Sequence, residues 1–324
     1  MTHDFILQSW AFDGKGAGRP IDKKTISEHV EGKQLAWVHL DVNAEETKSW
    51  IKDEVSYLDP VIIDALLTKD TRPRMMEIDN GFLIILRGVN MNPGAEPEDM
   101  VSIRMWIDPH RIITLQRRPL KTVSDIAEKL SQGRGPRDQG DFLTMICAHL
   151  FDYIDTALGD LGERTDDIEE YIMDEPDAAF REKINEIRKE AIVFKRYIQP
   201  QRDVIAQLRA SEMSWLSAHD RQGLQESYNH LVRYVEDLDT VRERAQIVKE
   251  ELNTVLSDQL NKNLYILSVI AAIFLPLGFL TGLFGINIGG MPGVENVHAF
   301  WIFCGFLTAV TLLQVIIFKI MRWF

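Results

Sequence analysis

The sequence predicts an α/β domain at the N-terminus, then a long helix that leads into two C-terminal transmembrane helices. Three observations carry this prediction: mixed strand and helix patterns over roughly the first 120 residues, a stretch of 52 residues without Gly or Pro, and two long uncharged apolar runs near the end. The 324-residue chain has a formal net charge of −13, so these apolar runs differ sharply from the rest of the sequence.

The N-terminal part contains short apolar runs of strand composition. Residues 35–42 and 81–90 are two such runs. Residues 101–116 are typical of a β-hairpin, because Asp108 and Pro109 supply turn residues between two apolar runs. We expect these strands to form the sheet of an α/β domain.

Helical patterns dominate from about Pro119 to the end, and Asp59 with Pro60 predicts an earlier helix start. Residues 224–275 contain neither Gly nor Pro, and one continuous helix of that length would reach roughly 80 Å. Its apolar residues alternate in spacing between four and three, which indicates packing against other helices: Leu224, Tyr228, Leu231, Val235 and Leu238. We expect a long stalk helix.

Two apolar runs, residues 264–284 and 299–318, carry no charged side chain. Each matches the roughly 20 residues that a helix needs to cross about 30 Å of hydrocarbon. The alternative is a pair of buried helices in a soluble core, but the length and uniformly apolar composition of both runs favour membrane spans.

The distribution of basic residues predicts the topology. Lys262 precedes the first run, Lys319 and Arg322 follow the second, and the connecting segment 285–298 has Glu295 as its one formal charge. Positive residues stay on the cytoplasmic side, so both termini should be inside and the connecting segment outside. The N-terminus also lacks the basic flank and apolar core of a secretory signal. The large N-terminal portion should therefore be cytoplasmic.

The composition excludes several classes of function. Four charged residues lie beyond position 261, which leaves residues 1–261 with a net charge of −15: Lys262, Lys319, Arg322 and Glu295. This acidity argues against nucleic acid as a partner and would raise the local concentration of cations.

Cys147 and Cys304 form no disulfide framework, as expected in a reducing compartment. Residues 1–261 contain neither a phosphate-binding glycine loop nor a nucleophile motif, so we expect no enzymatic activity.

One face of the long helix changes character at the predicted membrane boundary. Its polar members are Glu250, Thr254, Ser257 and Asn261, and the same face continues into the membrane as Leu264, Leu267, Ala271, Leu275 and Gly278. Around the axis of an oligomer, this face would line a water-filled vestibule that narrows to a hydrophobic constriction, which gates by dewetting. Periodicity alone leaves an ordinary solvated face as an equal alternative.

The first apolar run also contains helix-packing and helix-bending signals. Gly278 and Gly282 are four apart and Gly285 lies one turn further, a spacing that allows helix backbones to approach closely. Pro276 cannot donate a backbone hydrogen bond and crowds the carbonyl of Ala272, so we expect a kink there. Two spans per chain enclose nothing, and an ion path therefore requires an oligomer.

The segment after the first run begins with Gly285, Ile286 and Asn287. Two C-terminal spans joined by a short outer loop that begins Gly-x-Asn resemble the CorA family of divalent metal ion transporters, whose members mostly carry Gly-Met-Asn there. The Ile and the following IGGMPG resemble the ZntB zinc-transporter branch. So do TRPR at residues 71–74, RYIQPQRDV at 196–204 and KIMRWF at 319–324.

The resemblance covers essentially the whole chain and implies a funnel-shaped homopentamer in a bacterial-type inner (plasma) membrane. It implies one pore-lining helix per subunit and a ring of Asn287 side chains at the outer mouth. Small divalent cations release water reluctantly, so neutral carbonyl oxygens can accept hydrogen bonds from the hydrated ion. A ring of carboxylates would hold the ion too strongly for conduction. Neither span contains a charged residue, so neither contains a carboxylate proton relay.

Zn²⁺ is the transported ion that the resemblance to this branch implies, with proton coupling left open and no resident cofactor. The alternative is a Mg²⁺/Co²⁺ channel of the CorA type gated by cytoplasmic metal. Many members have an acidic residue where this chain has Gly293, so Glu295 and His298 are the remaining candidates for attracting metal in the loop. The chain has no Cys/His cluster with zinc-site spacing.

The predicted organisation is a cytoplasmic α/β domain (1–160), a helical stalk region (161–263), the first span (264–284), the outer loop (285–298), the second span (299–318) and a basic tail (319–324). A membrane-tethered enzyme and a scaffold are alternatives of another class; both should tolerate changes at Asn287. The acidic segment 163–177 is either a metal-sensing face or a solvated helix surface, and charge runs favour the latter.

Overall fold

The computed structural model describes residues 5–22, 25–26, 34–54, 58–69, 72–174, 176–285, 293 and 295–321. The chain divides into two compact units, Met1–Glu250 and Glu251–Phe324. Position 160, where we expected the α/β domain to end, falls inside a long helix, Gln139–Asp174. The first unit therefore contains both the sheet and a helical layer.

The first unit is built on a mixed seven-stranded sheet with the order β2-β1-β3-β7-β6-β5-β4. Its strands are β1 (Ile6–Phe12), β2 (Gly18–Pro20), β3 (Ala36–Asp41), β4 (Arg74–Ile78), β5 (Gly81–Gly88), β6 (Val101–Asp108) and β7 (Arg111–Gln116). Neighbouring strands are antiparallel except β3 and β7, which run parallel with Ala36 opposite Arg111. The fold is thus the α/β class that the sequence predicts.

The expected strands are confirmed. The runs at 35–42 and 81–90 form β3 and β5, and residues 101–116 form the antiparallel hairpin β6–β7, with Asp108 opposite Arg111 at its turn. Both faces of these central strands are buried, which explains why they read as continuous apolar runs instead of alternating ones. Strands β1, β2 and β4 lie at or near the edges and are the ones that the pattern did not reveal.

Seven helices are resolved in the described residues: α1 (Glu45–Glu54), α2 (Pro60–Leu67), α3 (Lys121–Ser131), α4 (Gln139–Asp174), α5 (Phe180–Ala210), α6 (Ala218–Gly285) and α7 (Ala299–Ile320). Helix α2 begins as predicted, because the Asp59 side chain accepts a hydrogen bond from the Val61 amide at 2.8 Å. The helical pattern predicted after Pro119 is likewise confirmed.

Helices cover both faces of the sheet. Trp50 and Ile51 of α1 and Ile62 and Leu66 of α2 pack in one buried cluster with Leu40 and other residues of the central strands. On the opposite face, Trp37 of β3 contacts Phe142 of α4 with ring centroids 5.1 Å apart. Helices therefore cover apolar side chains on both faces of the sheet.

The long helix α6 starts earlier than the breaker-free stretch suggested. It begins at Ala218 and includes Gly223, which we had taken as its N-terminal limit. A Cβ atom at Gly223 would lie 3.3 Å from Cγ2 of Thr144 in α4. Glycine at position 223 therefore allows α6 to pack closely on α4. This tertiary contact outweighs the low helix propensity of glycine.

Candidate ion pathway

The C-terminal unit consists mainly of two exposed apolar helices. Of the residues in the most apolar stretch of α6, 6% are buried. None of the residues in the most apolar stretch of α7 are buried. Leu275 and Trp301 are each 72% exposed. A core helix of a soluble protein would be mostly buried, so these surfaces need cover from lipid or from other copies of the chain.

The predicted pore-lining face lies on a single continuous helix. All nine of its residues belong to α6, and all nine are exposed in the single chain: Glu250, Thr254, Ser257, Asn261, Leu264, Leu267, Ala271, Leu275 and Gly278. Glu250 accepts a hydrogen bond from Gln246 at 2.6 Å, within the same helix. Packing inside the chain therefore leaves this face open to solvent or to neighbouring subunits.

The glycine seam of α6 is also open. A Cβ atom added at Gly278, Gly282 or Gly285 would meet no other atom within 4 Å among the described residues. These glycines consequently do not serve packing between α6 and α7 of one chain. Because glycine has no side chain, a helix of another copy of the chain can pack closely against these three positions.

Among the described residues, a ring contact and a side-chain hydrogen bond join the two apolar helices. Near one end, the rings of Phe284 and Phe303 lie 5.0 Å apart. About three turns further along α6, Nε2 of Gln314 in α7 lies 3.4 Å from the backbone oxygen of Ala272. The spacing of the two contacts is that of an antiparallel helical hairpin.

The predicted selectivity motif begins where α6 ends. Gly285 is the last residue of the helix, whereas Ile286 and Asn287 lie outside the described residues. Glu295 and His298 are exposed, and the backbone amide of His298 donates to the Asn296 side chain at 2.9 Å just before α7. The described part of the chain contains no group of three or more His, Cys, Asp or Glu side chains placed to hold a metal ion.

The acidic segment 163–177 takes part in ion pairs between helices. Arg244 of α6 binds Asp166 of α4 at 2.6 Å and also contacts Glu169. Arg164 donates to both carboxylate oxygens of Glu190 in α5, at 3.2 and 2.6 Å. Part of the segment that we interpreted as a solvated surface thus joins α4 to α5 and α6.

The motif at residues 196–204 has a structural role in α5, which continues through Pro200. The buried side chain of Gln201 accepts a hydrogen bond from the Arg87 amide of β5 at 2.5 Å. The guanidinium of Arg87 lies 4.1 Å from the centre of the Tyr197 ring. Both contacts anchor α5 to the sheet, so the motif supports the stalk.

Sequence reasoning missed the residues that connect the helices. Lys195 of α5 binds Asp239 of α6 at 2.6 Å, and no local pattern marks either residue. Gln314 was visible as an amide in an apolar run, but its partner lies in the other helix. Cys147 is buried, and burial raises the pKa of its thiol to about 12, so it is an inert core residue.

Comparison with known proteins places this architecture in a family. A family model described as CorA-like Mg²⁺ transporter protein matches residues 32–319. The chain is 34% identical over 321 residues to a divalent cation transporter, CmaX, of Pseudomonas aeruginosa, covering 98% of this chain and 96% of that one. It is 32% identical over 304 residues to the zinc transport protein ZntB of Pectobacterium carotovorum, covering 94% and 91% of the two chains.

Solved structures show the same fold. The full-length CmaX structure superposes with a TM-score of 0.86 at 34% identity, covering all of both chains. The CorA magnesium transporter of Methanocaldococcus jannaschii has a TM-score of 0.80 at 18% identity and covers 97% of this chain and 98% of that one, a likeness of fold. A family of transporters explains the exposed apolar helices. The chain belongs to the CorA family of divalent cation transporters.

Proposed function

We propose that this protein transports Zn²⁺ across a bacterial inner membrane through a homopentameric pore lined by α6. The observation that carries the proposal is the sequence of features along one helix. Its polar face at Glu250 and Asn261 passes into the apolar face at Leu264 and Leu267 and ends at the Gly-Ile-Asn motif. A hydrated cation would meet these surfaces in succession if several copies of α6 surrounded one axis.

The hydrated ion would be selected at Asn287. Five amide oxygens can accept hydrogen bonds from bound water without stripping the ion, and their neutrality keeps the ion free to leave. Glu295, the one formal charge of the connecting segment, would raise the cation concentration at the mouth. His298 lies close to it in the sequence and is our candidate for a weak zinc contact.

The proposal requires an oligomer, because two spans in one chain cannot enclose a path. The open glycine seam of α6 and the exposed faces of α6 and α7 provide surface for contacts between subunits and with lipid. The basic residues Lys262, Lys319 and Arg322 favour cytoplasmic termini. The functional divisions that follow are a cytoplasmic region to residue 263, spans at 264–284 and 299–318, and the outer loop between them.

A Mg²⁺/Co²⁺ channel is the second candidate, because the matching family model is described as a Mg²⁺ transporter. In a CorA-type channel gated by cytoplasmic metal, Mg²⁺ would be carried and would also close the pore. The described residues hold no ready-made cluster of acidic ligands within one chain. A gate built from the described residues would therefore draw its ligands from more than one subunit.

Zinc influx into dye-loaded liposomes that contain the purified protein tests the proposal. We expect zinc flux that persists in a roughly tenfold excess of Mg²⁺, because the Gly-Ile-Asn motif departs from that of most family members. Repeating the measurement with an inward proton gradient shows whether protons drive the flux. Flux that Mg²⁺ carries or blocks, and that does not respond to pH, would contradict a preference for zinc and indicate a general divalent cation channel, as in the second candidate.

A further inference from the structure

Pro276 leaves one backbone carbonyl of α6 without its helical partner. Proline has no N–H group, so the oxygen of Ala272, four residues earlier, receives no hydrogen bond from position 276. Helix α6 nevertheless continues through Pro276 to Gly285. In hydrocarbon an unsatisfied carbonyl is costly because no water is present to replace the missing donor.

The side chain of Gln314 supplies a donor for this carbonyl. Its Nε2 lies 3.4 Å from the oxygen of Ala272, a long hydrogen bond that joins α7 to α6. Its Oε1 atom is buried and has no hydrogen-bond partner among the described residues. An amide in an apolar span carries its own desolvation cost, and a bond to the carbonyl freed by Pro276 offsets part of both costs.

Four other polar side chains in the two spans bond within their own helix. The hydroxyls of Ser268 and Thr281 donate to backbone oxygens of α6, at 2.8 and 2.9 Å. Those of Thr308 and Thr311 donate to oxygens of α7, at 2.8 and 2.9 Å. Within the described residues of the spans, the hydrogen bond of Gln314 crosses from one helix to the other.

We infer that Gln314 is a positioning residue for transport, which holds the part of α6 beyond Pro276 in its conducting orientation. The inference rests on the proposed function, in which α6 lines the ion path. A proline removes the hydrogen bond that would fix the two halves of a helix, so the helix can bend at that point. The amide of Gln314 restores one constraint there, and Leu275, Gly278 and the Gly-Ile-Asn motif all lie beyond the constrained carbonyl.

The link between Gln314 and Pro276 can be tested with a double-mutant cycle in full-length protein reconstituted into liposomes. The variants are Gln314→Met, Pro276→Ala and the two combined, with Thr311→Val as a matched control one turn away on α7. Methionine has a volume similar to that of glutamine but no hydrogen-bond donor. Alanine at position 276 restores the backbone N–H that can donate to the Ala272 oxygen. Zinc influx per reconstituted protein and the unfolding temperature in detergent are measured for each.

We expect Gln314→Met to lower the maximal flux about threefold. This is the factor that corresponds to the free energy of an average hydrogen bond between membrane helices. The zinc concentration at half-maximal flux should not change, because the motif that meets the ion is intact. In the Pro276→Ala background the same substitution should have no effect, since the carbonyl already has a partner. Thr311→Val should leave flux unchanged in both backgrounds.

Equal losses from Gln314→Met in both backgrounds, or no loss in either, would overturn the inference. A changed half-saturation concentration with unchanged maximal flux would also contradict a positioning role. If the wild-type protein carries no zinc, the proposed function fails, but the unfolding temperature still reports the link. It should fall on Gln314→Met in the wild-type background only, and an equal fall in both would refute the hydrogen bond.

Discussion

Lys195 of α5 contacts both carboxylate oxygens of Asp239 in α6, each at 2.6 Å. The Lys195 side chain is 23% exposed, so the pair is partly shielded from solvent. Together with Arg244 of α6, which binds Asp166 and Glu169 of α4, it fastens the stalk helix to both of its neighbours. Any tilt of the stalk within the first unit must stretch these ion pairs.

We expect Lys195→Met to destabilise the first unit by about 0.5–1 kcal/mol, because Asp239 is 41% exposed and retains Arg242 as a second partner. Thermal unfolding followed by circular dichroism measures the change. Arg202→Met is the control, since Arg202 pairs with its chain neighbour Asp203 and joins no two helices. An equal effect from both variants would refute a special role for the bond between helices.

We expect stability to fall as the pH falls from about 6.5 towards 4, because His39 is buried. Burial lowers the pKa of His39 to about 4 from its ordinary 6.5, while Nδ1 lies 2.8 Å from the Thr114 hydroxyl oxygen. The unfolded chain binds this proton below about pH 6.5 and the folded chain does not until about pH 4. The loss should be about 2 kcal/mol between pH 6.5 and 5.

Unfolding temperatures of the detergent-solubilised protein at pH 6.5 and 5 check this expectation. His39→Asn can keep a hydrogen bond to Thr114 but cannot titrate, so the difference between the two pH values should shrink. Thr114→Val removes the hydroxyl and keeps the imidazole, so it should lower stability at both pH values. A pH difference that survives His39→Asn would assign the effect to other groups.

We expect Gly282→Leu to disrupt assembly without unfolding the chain. A Cβ atom at Gly282 meets open space in the single chain, so the larger side chain should be harmless until another helix approaches. Light scattering coupled to size-exclusion chromatography measures the mass of the assembly. Gly305→Leu on α7 is the matched control, because a Cβ atom there also meets open space and the proposed second span faces lipid. Loss of the assembly in both variants would place α7 between subunits.

We expect Asn287→Ala to reduce zinc flux about tenfold or more while the assembly remains intact, because the amide oxygens that would receive the hydrated ion are lost. Asn287→Asp keeps the size of the side chain and adds charge, so the ion should bind more tightly and leave more slowly. Liposome flux and assembly mass are measured together. Wild-type flux in Asn287→Ala would remove Asn287 from the pore mouth.

Several features of the fold could be predicted because their causes are local in the sequence. Two uncharged runs of span length predict α7 and the C-terminal part of α6, and Asp59 before Pro60 predicts the start of α2. The hairpin β6–β7 follows from turn residues between apolar runs. The family motif at Gly285 to Asn287 was likewise visible from residue order alone, since it requires no knowledge of packing.

The sequence by itself therefore determined the fold class, the two spans and the family resemblance. The tertiary structure alone decided the parallel pairing of β3 with β7, the earlier start of α6 at Ala218 and the partners of Arg244 and Gln314. These depend on groups far apart in the chain, and local propensity carries no information about which distant group will be near. Pro276 in the sequence predicted that one hydrogen bond of the helix is missing. The packing of α7 on α6 brings the Gln314 amide to the Ala272 oxygen, and the sequence did not predict this contact.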